Sequence, residues 1–361
     1  MKKSLIALAI LAAAGSASAQ SSVTLFGIVD ATLAYGRASG TGNASRWQLT
    51  NSGYNSSRIG FRGVEDLGGG MAAEFWLEAG LANDDGQGAA TNTNNTATGA
   101  GAAVAGRQGL TFNRRSTVAL KGGWGELRLG RDYSPQFWNL AVFDPFGYNG
   151  VGTTALQTGI TGVTQVRASN SIGYFLPANL RGFYGQVAFY MGEQLNNAVA
   201  GGIRTDSDGD GIGVRVGYAS GPFNVAVALS RTEYGAGDVK QNNIGGQWDF
   251  GVARLMGHAA WDKNGNIDGR GWLIGALVPM GPGEIRVSYS AYRTEVAGPD
   301  PRVRKIALGY VHNLSKRTAL YTTYAHARNS NGNAVVLNGA LLGVGGSRNS
   351  SGLDLGIRHS F

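Results

Sequence analysis

The chain has 361 residues, a formal net charge of +8, 59 glycines, eight prolines and no cysteine. The missing cysteine excludes a disulfide framework, thiol catalysis and thiolate metal sites, and 43% hydrophobic content with well-spread aromatics excludes a disordered chain despite the glycine. Beyond residue 19 the bases are scattered, with Arg114-Arg115, Arg304-Lys305 and Lys316-Arg317 the only adjacent pairs, so there is no stripe for nucleic acid to follow.

Met1-Lys2-Lys3 is a short positive segment, Leu5–Ala14 an apolar one, and Ser16-Ala17-Ser18-Ala19 ends in a small-x-small pattern. The apolar run is too short to span a bilayer. Residues 1–19 therefore read as a removed secretory signal, and 20–361 as one domain, because no linker or change of pattern divides them.

From Val23 to Tyr35 the odd positions are Val23, Leu25, Gly27, Val29, Ala31, Leu33 and Tyr35, while Thr24, Asp30 and Thr32 fall on even ones. That period of two predicts a half-buried strand. Arg58–Val64 alternates again, with Ile59 and Phe61 on one face and Arg58 and Arg62 on the other. After a tight turn at 65–70, Ala73–Leu81 sets Glu74 and Glu78 against Phe75 and Leu77. The pattern recurs to the end, with short turns at 65–70, 122–125, 177–182, 219–222, 249–251, 279–283 and 313–317. Longer polar stretches lie at 36–56, 83–113, 132–166, 191–211, 231–242, 262–270, 293–302 and 327–351. Seven short turns and eight long loops join sixteen strands, the even number and the loop asymmetry of an outer-membrane barrel.

The alternation then has a cause. In hydrocarbon every backbone N–H and C=O must be paired within the protein, so a sheet has to close on itself. Leu127, Leu129, Val214, Val216, Ile285 and Val287 would face lipid; Arg128, Arg215, Asn224, Arg286 and Ser288 would face the lumen. A large soluble antiparallel barrel would alternate in the same way, but Leu353–Phe361 alternates and finishes on an aromatic, which together with the signal favours the outer membrane.

The stretch 132–166 is too long for an ordinary connection. It has no Lys, Arg or Glu, its only charges are Asp132 and Asp144, and it carries Phe137, Trp138, Leu140, Phe143, Phe146 and Tyr148. So apolar a loop is unsuited to water; it is expected to fold back inside the barrel and narrow it.

Several segments in order complete the picture: Ser22–Asp30, Ser57–Gly70, Phe112-Asn113-Arg114, Leu129–Asp132, Ser169–Tyr174, Tyr310–Thr318 and the terminal Phe361. Together they resemble the trimeric general-diffusion porins of Gram-negative outer membranes, over essentially the whole mature chain. The resemblance implies an all-β, sixteen-stranded transmembrane barrel, a homotrimer in outer-membrane lipid, passage of ions and small hydrophilic solutes, and a third loop constricting the pore. It implies no cofactor.

A constriction selects by charge. By the resemblance, Arg58, Arg114 and Arg167 match pore-lining positions; Arg62 faces the lumen by parity and Arg131 stands where the loop leaves the wall. Arg114 shares parity with Val118 and Leu120, which would point it outward. Either a bulge or the loop–strand junction reverses this, or Arg115 takes the role. Asp144, in Phe143-Asp144-Pro145-Phe146-Gly147, is the candidate acid on the loop. Several arginines and few acids predict a weak anion preference. Asp206, Asp208 and Asp210 open like a calcium loop, but position twelve is Gly217 rather than a bidentate Glu, so an acidic external loop is expected there. The four histidines, His258, His312, His326 and His359, sit in no catalytic spacing, so no enzyme is expected. A surface adhesin or a dedicated substrate channel remains the alternative.

Overall fold

The computed structural model describes residues 22–89, 91–92, 95–96, 109–341 and 348–361. The expected signal at 1–19 lies outside the described residues.

Sixteen strands form the wall. In chain order they are β1 (Ser22–Ala38), β2 (Arg58–Gly68), β3 (Met71–Ala82), β4 (Arg115–Gly122), β5 (Gly125–Tyr133), β6 (Arg167–Phe175), β7 (Phe183–Tyr190) and β8 (Gly211–Ser220). They continue as β9 (Phe223–Thr232), β10 (Val239–Asp249), β11 (Arg254–Asn264), β12 (Ile267–Met280), β13 (Gly283–Glu295), β14 (Arg302–Asn313), β15 (Thr318–Ser330) and β16 (Asn349–Ser360). Each pairs antiparallel with the next, and β1 pairs with β16 from Ile28↔Ser360 to Ala38↔Ser350, which closes the barrel. The last residue joins the seam: Gly27 and Phe361 exchange both backbone hydrogen bonds at 3.1 Å. No edge is left for hydrocarbon to meet.

The two faces follow the alternation. On β1, Val23, Leu25, Val29 and Leu33 point out and are exposed, while Asp30, Thr32 and Ala34 point in and are buried. Aromatic pairs ring the short-turn end, among them Trp124 on Tyr174, Phe183 on Tyr218 and Phe223 on Trp248, with centroids 4.9–6.3 Å apart. That is where amphipathic rings sit at a membrane interface.

Several strands run past the boundaries expected from hydrophobic alternation. The stretch 262–270 is not a long loop: β11 and β12 are joined through Gly265, whose φ of +56° suits the tight turn. The stretches 231–242 and 293–302 shrink likewise to 233–238 and 296–301. Above the membrane both faces of a strand are wet, so the alternation fades while the hydrogen-bond ladder continues. Within the first loop Arg46–Asn51 adds a further strand along β1.

Candidate functional site

The segment 134–166 lies inside the barrel. It begins with a short helix, α1 (Pro135–Val142), which carries Pro at its first turn, where the missing N–H costs nothing. A 3-10 turn follows at Ala155–Thr158, capped by the Thr154 side chain accepting from the Leu156 amide.

Glycines in the wall make room for it. A Cβ on Gly245 would stand 2.2 Å from Phe143 Cδ2, one on Gly275 2.5 Å from Pro145 Cγ, and one on Gly309 3.0 Å from Phe146 Cε1. Three inward-facing glycines on β10, β12 and β14 thus form sockets for three apolar loop residues, Phe143, Pro145 and Phe146. Phe137, Leu140, Phe146 and Leu156 join wall residues Ala260, Val303 and Ala307 in one buried cluster.

Polar contacts fix the register. Asn139 Nδ2 donates to the carbonyl of Ala226, Asn243 Nδ2 to that of Gln136, and the Ala155 amide to Ser290 Oγ, each at 3.0 Å. The Val151 amide donates to Asp354 Oδ2 at 2.8 Å. Arg215 Nε donates to Asn139 Oδ1 at 2.6 Å.

Asp144 is only 4% exposed. Its carboxylate does not face the bore: it accepts from the amides of Phe146, Tyr148 and Thr154 at 2.9, 3.3 and 3.0 Å. Burial pushes its pKa up to about 6, against the opposing pull of those amides and Lys305. The expected pore acid is therefore the internal tie of its own loop, because three amides in a dry turn need an acceptor.

Opposite the loop stand the arginines. A space of about 700 Å³ is lined on the wall side by Arg58, Arg114, Arg115, Arg167 and Glu78, whose side chains sum to a formal charge of +3, with the chain-terminal Phe361 also on its border. On the loop side Trp138, Ala141, Gly147, Asn149 and Gln157 face it, none of them charged.

Each guanidinium is held. Arg114 Nε donates to Glu78 Oε1 at 2.6 Å and its Nη2 to Tyr133 Oη at 2.6 Å. Arg58 Nη1 is 3.6 Å from the same carboxylate oxygen. Arg167 lies 4.6 Å over the Tyr133 ring, a geometry that orients a guanidinium without neutralising it. Arg115 lies 4.5 Å over Trp76 and its Nε is 3.6 Å from Asp132 Oδ1, which offsets part of its charge.

The conflict over Arg114 resolves at the junction. β4 starts at Arg115, so Arg114 is outside the alternating run, and its amide bonds to the Glu78 carbonyl at 3.0 Å. Both arginines line the space that faces the loop. Arg62 faces the lumen nearer the short-turn end, 5.3 Å from Trp76 and 5.5 Å from Phe26.

Arg131 does not join them. Its Nε donates to the Asn113 carbonyl at 2.6 Å and its Nη1 to Ser169 Oγ at 2.7 Å, so it staples a loop to the wall. Glu78, Trp76 and Trp138 were not assigned a pore-lining place from sequence; the parity of Glu74, Trp76 and Glu78 carried the signal for the first two.

The three acids of the calcium-like motif diverge. Asp206 pairs with Arg204 at 2.5 Å, Asp208 accepts from the Gly235 amide at 2.7 Å and Asp210 from the Gly192 amide at 2.8 Å. Among the described residues no group of three His, Cys, Asp or Glu gathers as a metal site. The histidines are dispersed too: His258 is buried behind the loop 3.2 Å from Thr154 Oγ1, and His359 pairs with Thr318 at 2.9 Å.

Comparison with known proteins places this architecture. A family profile described as Gram-negative porin matches residues 4–332. The chain is 38% identical to outer membrane porin protein 32 of Delftia acidovorans, with 100% of each chain covered. It is 28% identical to an outer membrane porin protein of Bordetella pertussis, over 91% of this chain and 95% of that one. Among solved structures, an anion-selective porin from Comamonas acidovorans matches with 35% identity and a TM-score of 0.77, covering 95% of this chain and 100% of that one. OmpT of Vibrio cholerae, at 14% identity and a TM-score of 0.64 over 94% and 98% of the two chains, shares the fold alone.

Proposed function

Because the chain belongs to the Gram-negative porin family, we propose that its in-folded loop sets the bore and that the neck favours small anions. The barrel is an outer-membrane channel, and its relatives are channels rather than enzymes. The observation that carries the selectivity is the charge asymmetry: four arginines and one glutamate on the wall against an uncharged loop face. Fixed charge of one sign at a narrow, low-dielectric point raises the local concentration of the opposite ion. The likeness to a channel described as anion-selective supports the same reading.

The working unit in this reading is a homotrimer, and residues 1–19 are removed on export. The test is the purified protein in a planar bilayer under a salt gradient. A reversal potential of anion-preferring sign and closure in three steps are expected; cation preference overturns the selectivity, and single-step closure overturns the trimer. The mass of the mature protein reads the cleavage site.

A further inference from the structure

Outside the barrel, near its long-loop end, a groove crosses four strands. Its floor is kept low by Ala259 on β11 and Ala291 on β13. Trp261, Trp272 and Tyr289 stand around it, 49%, 45% and 38% exposed. Four arginines border it: Arg270, Arg293, Arg302 and Arg304. Its volume is about 530 Å³, within the range of sites that hold small molecules.

The register makes this border unusual. Arg270 lies directly opposite Arg293, Arg293 opposite Arg302, and Arg304 opposite Arg328 on β15. Like charges directly opposite on neighbouring strands destabilise a sheet. The described acids offset them only in part. Glu295 serves both Arg270 and Arg293, at 3.2 and 3.0 Å, and Asp300 serves Arg302 at 3.3 Å. Among the described residues Arg304 and Arg328 have no ion pair. The three paired guanidinia keep 40–53% of their side-chain surface exposed, so their forks are open to a further anion.

Position selects the anion. The tryptophans and tyrosine form the outward aromatic band that marks a membrane boundary. Directly below, Ile274, Ile306 and Leu308 are exposed toward hydrocarbon. A ligand bridging both zones needs a doubly ionised head and an apolar tail, and arginine forks bind phosphate oxygens in bidentate fashion. We propose that this groove holds a phosphate-bearing lipid of the outer leaflet, its phosphate among Arg270, Arg293, Arg302 and Arg304 and an acyl chain against Ala259 and Ala291. The bound phosphate relieves the cross-strand repulsion, so lipid and barrel stabilise each other.

Native mass spectrometry of the assembled, purified porin titrated with diphosphoryl lipid A tests this. Wild type is expected to retain the lipid at concentrations where phosphatidylcholine is lost. The variant with all four arginines changed to alanine should bind at least tenfold more weakly. A second variant, Ala291→Trp, fills the groove and leaves the arginines; it should also lose retention, which keeps the test open if the first variant fails to fold. Bilayer conductance of both variants should equal that of wild type, because the groove lies outside the bore. Equal retention of lipid A by wild type and Ala291→Trp, or equal retention of phosphatidylcholine and lipid A by wild type, overturns the proposal.

Discussion

Arg114 and Glu78 share a hydrogen bond of 2.6 Å on the arginine-bearing wall that faces the in-folded loop, with 11% and 5% of their side chains exposed. Glu78 also stands 3.6 Å from Arg58 and accepts from Trp76 Nε1 at 3.0 Å. In the proposed reading it is thus the counterion that sets how much of the arginine charge an ion in the bore can feel. Glu78→Gln keeps the volume and removes the negative charge. A unit charge about 7 Å from a permeating ion is worth roughly 0.6 kcal/mol in water, with opposite sign for anion and cation, so the anion-to-cation permeability ratio shifts by about twice that energy and should rise by up to roughly eightfold. The variant should also melt earlier, since a buried ion pair that loses one partner leaves the other uncompensated. An unchanged ratio would show that Glu78 does not screen the neck.

The wall arginines should not be equivalent. Arg58→Gln, Arg115→Gln and Arg167→Gln each remove a charge lining the neck and should each lower the permeability ratio. Arg62→Gln should do less, because Arg62 lies toward the short-turn end against Phe26 and Trp76 and does not line the space facing the loop. Arg131→Gln should leave selectivity alone and lower thermal stability, because its guanidinium is spent on Asn113 and Ser169. Reversal potentials in one salt gradient rank all five, and a large shift in Arg131→Gln alone would contradict the assignment.

The pH response of the loop follows from Asp144. Its pKa rises from 3.8 to about 6 because burial disfavours the charge. Below 3.8 the carboxyl is protonated whether the loop is docked or free, and docking keeps its full strength. Between 3.8 and about 6 only the free form ionises, so docking weakens as pH climbs, and the loss is complete above 6. Two units correspond to roughly 3 kcal/mol. Lys305, His258 and Asp354 surround the turn and set the baseline. Hydrogen exchange at the amides of Phe146, Tyr148 and Thr154, corrected for intrinsic rates, should be slower at pH 5 than at pH 7.5. Asp144→Asn should flatten that difference; a variant with the same pH dependence would move the effect to another group.

The barrel was legible because lipid imposes one rule on every strand, and β1 shows it residue by residue from Val23 to Tyr35. The loop's place inside was legible from what 132–166 lacks. Two things were hidden. Strand ends such as Asp262–Asn264 read as loop, since alternation fades where both faces are wet. Asp144 read as a pore acid because charge in a sequence does not reveal direction; only the folded turn shows three amides converging on it. Arg131 misled in the same way, with donors that the fold directs to the Asn113 carbonyl and the Ser169 hydroxyl. The arginine row of Arg270, Arg293 and Arg302 needs strand register, which no single strand contains.

The glycine sockets can be tested by filling them. Gly245 faces the lumen beside Phe143, and a Cβ there would meet the ring at 2.2 Å. β10 itself would accept a β-branched residue, since such side chains favour strands. Gly245→Val therefore leaves the wall intact and displaces the loop, at a cost of about 1–3 kcal/mol for overpacking. The loop can yield only toward the bore, because the wall lies behind it. Single-channel conductance should fall while the protein still folds, and the open channel should grow noisier as α1 loses its seat. Gly123→Ala, in the short turn after β4 with nothing within 4 Å of its Cβ position, is the control and should conduct as wild type. If Gly245→Val folds and conducts normally, Phe143 does not hold the loop against the wall, and the width of the neck must be set elsewhere.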